Sequence, residues 1–206
     1  MKVFFFVCSM VASLTLLVGC ATPPPKNPEN ICDIFRENHD WYEAAKAMNE
    51  RWGTPIQVPM AIMYQESGFK HNAKQPMRYF LGIIPTGRVS SAYGYSQAQD
   101  DTWRDYQRET GHRGAERDDF DDAIDFIGWY VFKTNQLNGI SKWDAYKQYL
   151  NYHEGWGGYQ RGTYRDKKWL LRVAQQVNQR ASRYRAQFHE CKDELNHGWL
   201  YRLLFG

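Results

Sequence analysis

The chain has 206 residues, with 26 Lys or Arg against 23 Asp or Glu and a formal net charge of +3. So small an excess excludes the concentrated basic face of a nucleic-acid binder. The length fits one domain with its own core, and fourteen Tyr with eight Trp offer rings for a groove that stacks flat ligands such as sugars as well as for the core.

Residues 1–20, MKVFFFVCSMVASLTLLVGC, give a lysine, a short apolar run and then small residues. That order predicts a secretory signal over 1–19 rather than a spanning helix. Leu17-Val18-Gly19-Cys20 resembles the lipobox of bacterial lipoproteins. The resemblance implies cleavage before Cys20, lipid on its sulfur, and, with Ala21 next, an outer-membrane lipoprotein facing the periplasm. The Pro-rich stretch that follows to residue 30 cannot bury a core and is expected to be a stiff tether, about 3 Å per residue. Cys8 leaves with the signal and Cys20 takes lipid. Cys32 and Cys191 then remain in an oxidising compartment, where a disulfide is the expected state and two separate buried thiols the alternative.

The domain is predicted over 31–192 and mainly α. Helices are expected at about 31–52, within 58–69, and at about 98–110, 120–137, 142–153 and 166–190, from apolar residues at helical spacing. Ser141 and Asp144 suggest a capping box for the fifth. The last stretch, 193–206, carries Trp199, Leu200, Leu203 and Leu204 at helical spacing. It forms an apolar tail for packing on its own domain, on an envelope-protein partner or at a membrane surface.

Within this frame VPMAIMYQESGF (58–69) stands out. Pro59 suits a first helical turn, and apolar residues all round mark a helix that runs through a core. Glu66 emerges at its end, where apolar surroundings would raise its pKa toward neutrality, as a general acid requires. No metal or organic cofactor is implied. Asp118, Asp119, Asp121 and Asp122 lack the glycine and final glutamate of an EF-hand and suit a helix N-terminus. His153-Glu154 lacks the second histidine of a zinc protease.

Two further motifs follow in order: AYGYSQ (92–97), leading into a helix, and NYHEGWGGY (151–159). With the Glu66-Ser67 pair they resemble the soluble lytic transglycosylases, whose SLT domain is related to goose-type lysozyme, over most of 31–190. The resemblance implies a lysozyme-like helical fold and a peptidoglycan glycan strand as substrate. Glu66 would be the single catalytic acid/base that cleaves the bond between N-acetylmuramic acid and N-acetylglucosamine, leaving a 1,6-anhydro end. Ser67 would hydrogen-bond near the reacting sugar and Gln97 would position it. Tyr152 would orient Glu66 through its hydroxyl.

The chain departs from the family pattern in three places. Gln97 lies 31 residues after Glu66, and the insertion between them is expected to be an irregular flap over the cleft. Tyr95-Ser96 replaces a bulky apolar pair and reshapes the cleft wall. His153 stands where the family has asparagine, so it would grip substrate differently. Two other readings stay open. A hydrolytic muramidase would need a second carboxylate to activate water, with Glu154 the candidate. A non-catalytic lipoprotein would grip peptidoglycan or scaffold an envelope complex.

Overall fold

The computed structural model describes residues 22–81 and 83–196. The expected signal, the lipid-bearing Cys20 and the apolar residues of the C-terminal tail lie outside the described residues. Among them are seven helices: α1 (Ile31–Glu37), α2 (His39–Trp52), α3 (Gln57–Ser67), α4 (Asp100–Thr110), α5 (Phe120–Asn138), α6 (Ala145–Arg161) and α7 (Lys168–Asn196). One antiparallel hairpin, β1 (Met77–Phe80) with β2 (Ile84–Arg88), stands between α3 and α4. The mainly helical, lysozyme-like class is the one expected.

The helix α3 is the hub. Residues 57–63 are all buried, and it packs against α5 on one side and α7 on another. The apolar stripe of α5 (Phe120, Ala123, Ile124, Ile127, Val131) also meets α2, while α7 closes over α1, α3 and α6. Among the described residues the members of the hydrophobic core fall between Ile31 and Leu195. None of these helices is long and apolar enough to cross a membrane.

Several boundaries differ from expectation for local reasons. The first predicted helix breaks at Asn38, whose backbone leaves the helical region (φ −131°, ψ 81°), giving α1 and α2. The cap of α6 is Asp144, which accepts from the Lys147 N–H, and not Ser141. The helix α7 runs on through Asn196 because Leu195 is buried, taking in the first residues of the expected tail. The insertion is an ordered hairpin, bulged between Arg78 and Tyr79. Its crest residues Leu81 and Ile83 are exposed rather than lowered onto a wall.

Cys32 in α1 and Cys191 in α7 form a disulfide across 159 positions of sequence. The N-cap of α1, Asn30, and the last turns of α7 are thereby fixed side by side. Glu29 adds ion pairs to Arg180 at 2.7 Å and Arg183 at 2.5 Å on α7.

Candidate active site

Burial delivers Glu66. The chain leaves α3 through Gly68 and Phe69, both at positive φ (59° and 61°), so the helix stops immediately after Glu66-Ser67. A positive φ is strained for phenylalanine, and the buried ring is held between Trp41 and Tyr64, with centroids 5.9 Å from each. Glu66 keeps some exposed surface, but its carboxyl is packed among protein atoms. Burial pushes its pKa up to about 7, against a smaller opposing pull from a Tyr149 hydrogen bond.

That bond corrects one expectation. The Tyr152 hydroxyl donates to the Ser96 carbonyl at 2.6 Å, and the hydroxyl on Glu66 belongs to Tyr149. The two tyrosines lie three residues apart on α6, hence on one face. Tyr152 remains beside Glu66, whose charge helps push the phenol well above its ordinary range, after burial itself. The helical spacing in QYLNY places Tyr149 on the same face as Tyr152.

The motif at 92–97 forms the facing wall. Gly94 has φ +73°, and a Cβ there would lie 2.0 Å from the Arg117 carbonyl oxygen, so only glycine fits. Its neighbour Tyr95 donates its N–H to that same oxygen at 3.0 Å. Gln97, itself at φ +51°, is held on three sides. Its amide nitrogen donates to the Ala73 and Gly94 carbonyls at 2.9 Å each, and its oxygen accepts from Gln75 at 2.9 Å. Ala73 and Gln75 belong to the base of the hairpin segment, which therefore braces Gln97. Through Ser96 and Tyr152 this wall is tied to α6 and so to Glu66.

Gln97, Tyr152, His153, Glu154 and Gly155 line one pocket of about 200 Å³, with Phe126 and Tyr130 among its other walls. Gly155 makes it possible: at φ 71°, ψ 160° it kinks α6 in a conformation open essentially to glycine alone. Tyr130 stacks on Trp156 with centroids 4.6 Å apart and meets Tyr152 edge-on at 4.9 Å. Volume does not pick out the site. A larger cavity, about 530 Å³, lies at the other end of α3 around Gln57, Trp143 and Phe188.

Three predicted residues, Glu66, Ser67 and Tyr95, do not line this pocket; Glu66 lies behind it, next to Tyr152. Tyr95 is buried edge-on against Trp41 and Phe120. Burial and then the charges of Asp119 and Asp118 push it up to about 12. Ser67 is buried, its hydroxyl donating back to the Met63 carbonyl at 3.1 Å.

Glu154 is bound on every side. Its side chain is only 3% exposed, and Lys167 approaches both oxygens at 2.7 and 2.9 Å. Thr163 donates to the second oxygen, and His153 Nδ1 lies 2.9 Å from the first. Burial pushes the carboxyl up, but the bonds from Lys167, Thr163 and His153 outweigh it and hold it at about 2. Lys167 and Thr163 carry no motif signature, so sequence reading passes over them. Asp119, by contrast, caps α5 by accepting from the Asp122 N–H, and no cluster of three metal-ligating side chains occurs among the described residues.

A buried acid ends a core helix beside Tyr149 and Tyr152, and next to it a pocket opens between Gln97 and the aromatic, kinked α6. The transglycosylase SLT domain family matches residues 8–191, and the chain belongs to that family. No curated protein compared with the chain matches it.

Proposed function

We propose that this protein is a peptidoglycan lytic transglycosylase that cleaves the β-1,4 bond between N-acetylmuramic acid and N-acetylglucosamine, with Glu66 as its single acid/base. The observation that carries the reading is the Glu66 carboxyl, buried at the end of α3 beside Tyr149 and raised to about 7, while the other acid near the motifs, Glu154, is held near 2. Near neutral pH a large share of Glu66 is protonated, and its conjugate base is strong enough to accept a proton. The Glu66 acid gives its proton to the glycosidic oxygen as the bond to the muramic C1 breaks. The carboxylate then takes the proton of the muramic C6 hydroxyl while O6 bonds to C1. The 1,6-anhydro ring closes, Glu66 is again protonated and no water is consumed. The Tyr149 hydroxyl stabilises the carboxylate between the two steps, and Gln97 holds the sugar from the facing wall with His153 and Tyr152 beside it.

Hydrolysis would need a second carboxylate free to activate water. Glu154 is a poor base at about 2, and Lys167, Thr163 and His153 occupy its oxygens. This supports transglycosylation over the muramidase alternative. A purely binding role leaves the raised carboxyl without a use.

We also infer that Cys20 carries lipid and that the domain works in the periplasm from the outer membrane, on the tether that ends at Asn30. Replacement of Cys20 by Ser should abolish incorporation of labelled palmitate.

The chemistry is tested by digesting purified peptidoglycan and weighing the products. Muropeptides lighter by one water, absent with Glu66→Gln, support the reading. Reducing muramic ends would make the protein a hydrolase. No products from a folded protein would leave a binding role.

A further inference from the structure

The hairpin between α3 and α4 combines two features. From Ser67 to Gln99 the chain contains no Asp or Glu, while Lys70, Lys74, Arg78 and Arg88 all fall there. At its crest Leu81 is 78% exposed and Ile83 77%, and Met77 on β1 and Val89 just after β2 are also exposed. A cationic stem under an aliphatic crest is unsuited to a glycan, which offers hydroxyls and flat sugar faces. It does match a leaflet of anionic phospholipid, where aliphatic side chains enter the acyl boundary and cations meet the headgroups.

A second, independent observation concerns direction. Thr22, the first described residue, lines the same surface pocket as His71, which begins the hairpin segment. The chain therefore enters the domain beside the base of the hairpin, two residues after Cys20. That pocket also holds Asp40, Asp118, Asp119 and Asp121, which would repel an anionic leaflet at close range. Leu81 lies beyond His71 by the whole of β1 (Met77–Phe80), which alone spans about 13 Å at strand rise. This exceeds the Debye length of about 8 Å at physiological salt, so the acids at the base are screened from the crest.

We propose that the hairpin crest is a membrane-docking element that inserts Leu81 and Ile83 into an anionic lipid leaflet. Because Gln75 at the hairpin base is hydrogen-bonded to Gln97, docking would hold the glycan pocket at a fixed height above that leaflet. Lipid on Cys20 would be a separate contact, and two weak contacts together give stable attachment where one does not.

The test uses the chain from residue 22 to residue 206, which retains the disulfide-closed core but lacks the apolar N-terminal segment. Flotation is compared on vesicles of phosphatidylglycerol with phosphatidylethanolamine and on vesicles of phosphatidylcholine. The expected result is binding to the first, weak binding to the second, and loss of binding in 0.5 M salt. Leu81→Ser with Ile83→Ser should lower the partition constant more than about tenfold at an unchanged unfolding midpoint. The double variant binding like the parent would overturn the proposal, as would parent protein bound to neither vesicle. Loss of binding to peptidoglycan sacculi alone would overturn it too, assigning the crest to the wall. Glycan turnover does not enter this assay, so failure of the transglycosylase reading and failure of this one are separable.

Discussion

Above pH 7 the folded protein carries an ionised Glu66 among protein atoms, a state that the unfolded chain escapes. Unfolded, the carboxyl titrates near 4.5; folded, it titrates near 7. The folded state therefore holds a proton that the unfolded state releases across that window. Stability is fullest below about 4.5, falls as pH rises to about 7 and stays reduced beyond. The shift corresponds to on the order of 3 kcal/mol. Glu66→Gln should thus unfold at higher urea than the parent at pH 8 and at about the same urea at pH 4, while losing turnover at both. An equal difference at the two pH values would mean that burial does not set this pKa. Tyr149→Phe removes the hydroxyl that lowers the Glu66 pKa. Its alkaline limb of kcat/KM should move to higher pH and its kcat should fall about tenfold. Tyr152→Phe, which loses a bond to a carbonyl instead, should leave that limb in place.

Among the elements, the segment between α3 and α4 shows how backbone geometry holds chemistry. Gly94→Ala would drive a methyl group into the Arg117 carbonyl at φ +73°. A loss of about 3 kcal/mol or more is expected in denaturant unfolding, with a rise in KM as Gln97 moves. A variant with parental stability would show that the turn relaxes freely. This segment also marks the limit of sequence reading. The core helix, Glu66 at its end and the order of the three motifs were legible because apolar periodicity and glycine signals are local. The hairpin was not, since its strands are short, contain Pro85 and Gly87, and are defined by pairing. Nor was the lock on Glu154, because Lys167 and Thr163 reach it only through the turn after α6. Tyr95 and Tyr152 illustrate the same point within motifs, where sequence gives the neighbourhood of a side chain but not the partner of its hydroxyl.

For the whole molecule the disulfide is the main covalent restraint. Closing a loop of 159 residues contributes about 5 kcal/mol in the chain-entropy description. The double change Cys32→Ala with Cys191→Ala should remove about 4–5 kcal/mol from urea-unfolding stability, and a loss under 1 kcal/mol would show that packing of α1 on α7 suffices. The same cross-link makes the spacing between the tether end and the last turn of α7 independent of the state of the core between them.

That independence has a mechanical meaning. Force applied between Thr22 and Asn196 passes from the tether to Cys32, across the sulfurs to Cys191 and out, so the catalytic core is not in the load path. Stretched in optical tweezers, the oxidised protein should lengthen by only about 60 Å, from the short segments outside the bridge, and the reduced protein by about 600 Å. If lipid on Cys20 holds the domain as proposed, a pull between that end and α7 would leave the cleft closed.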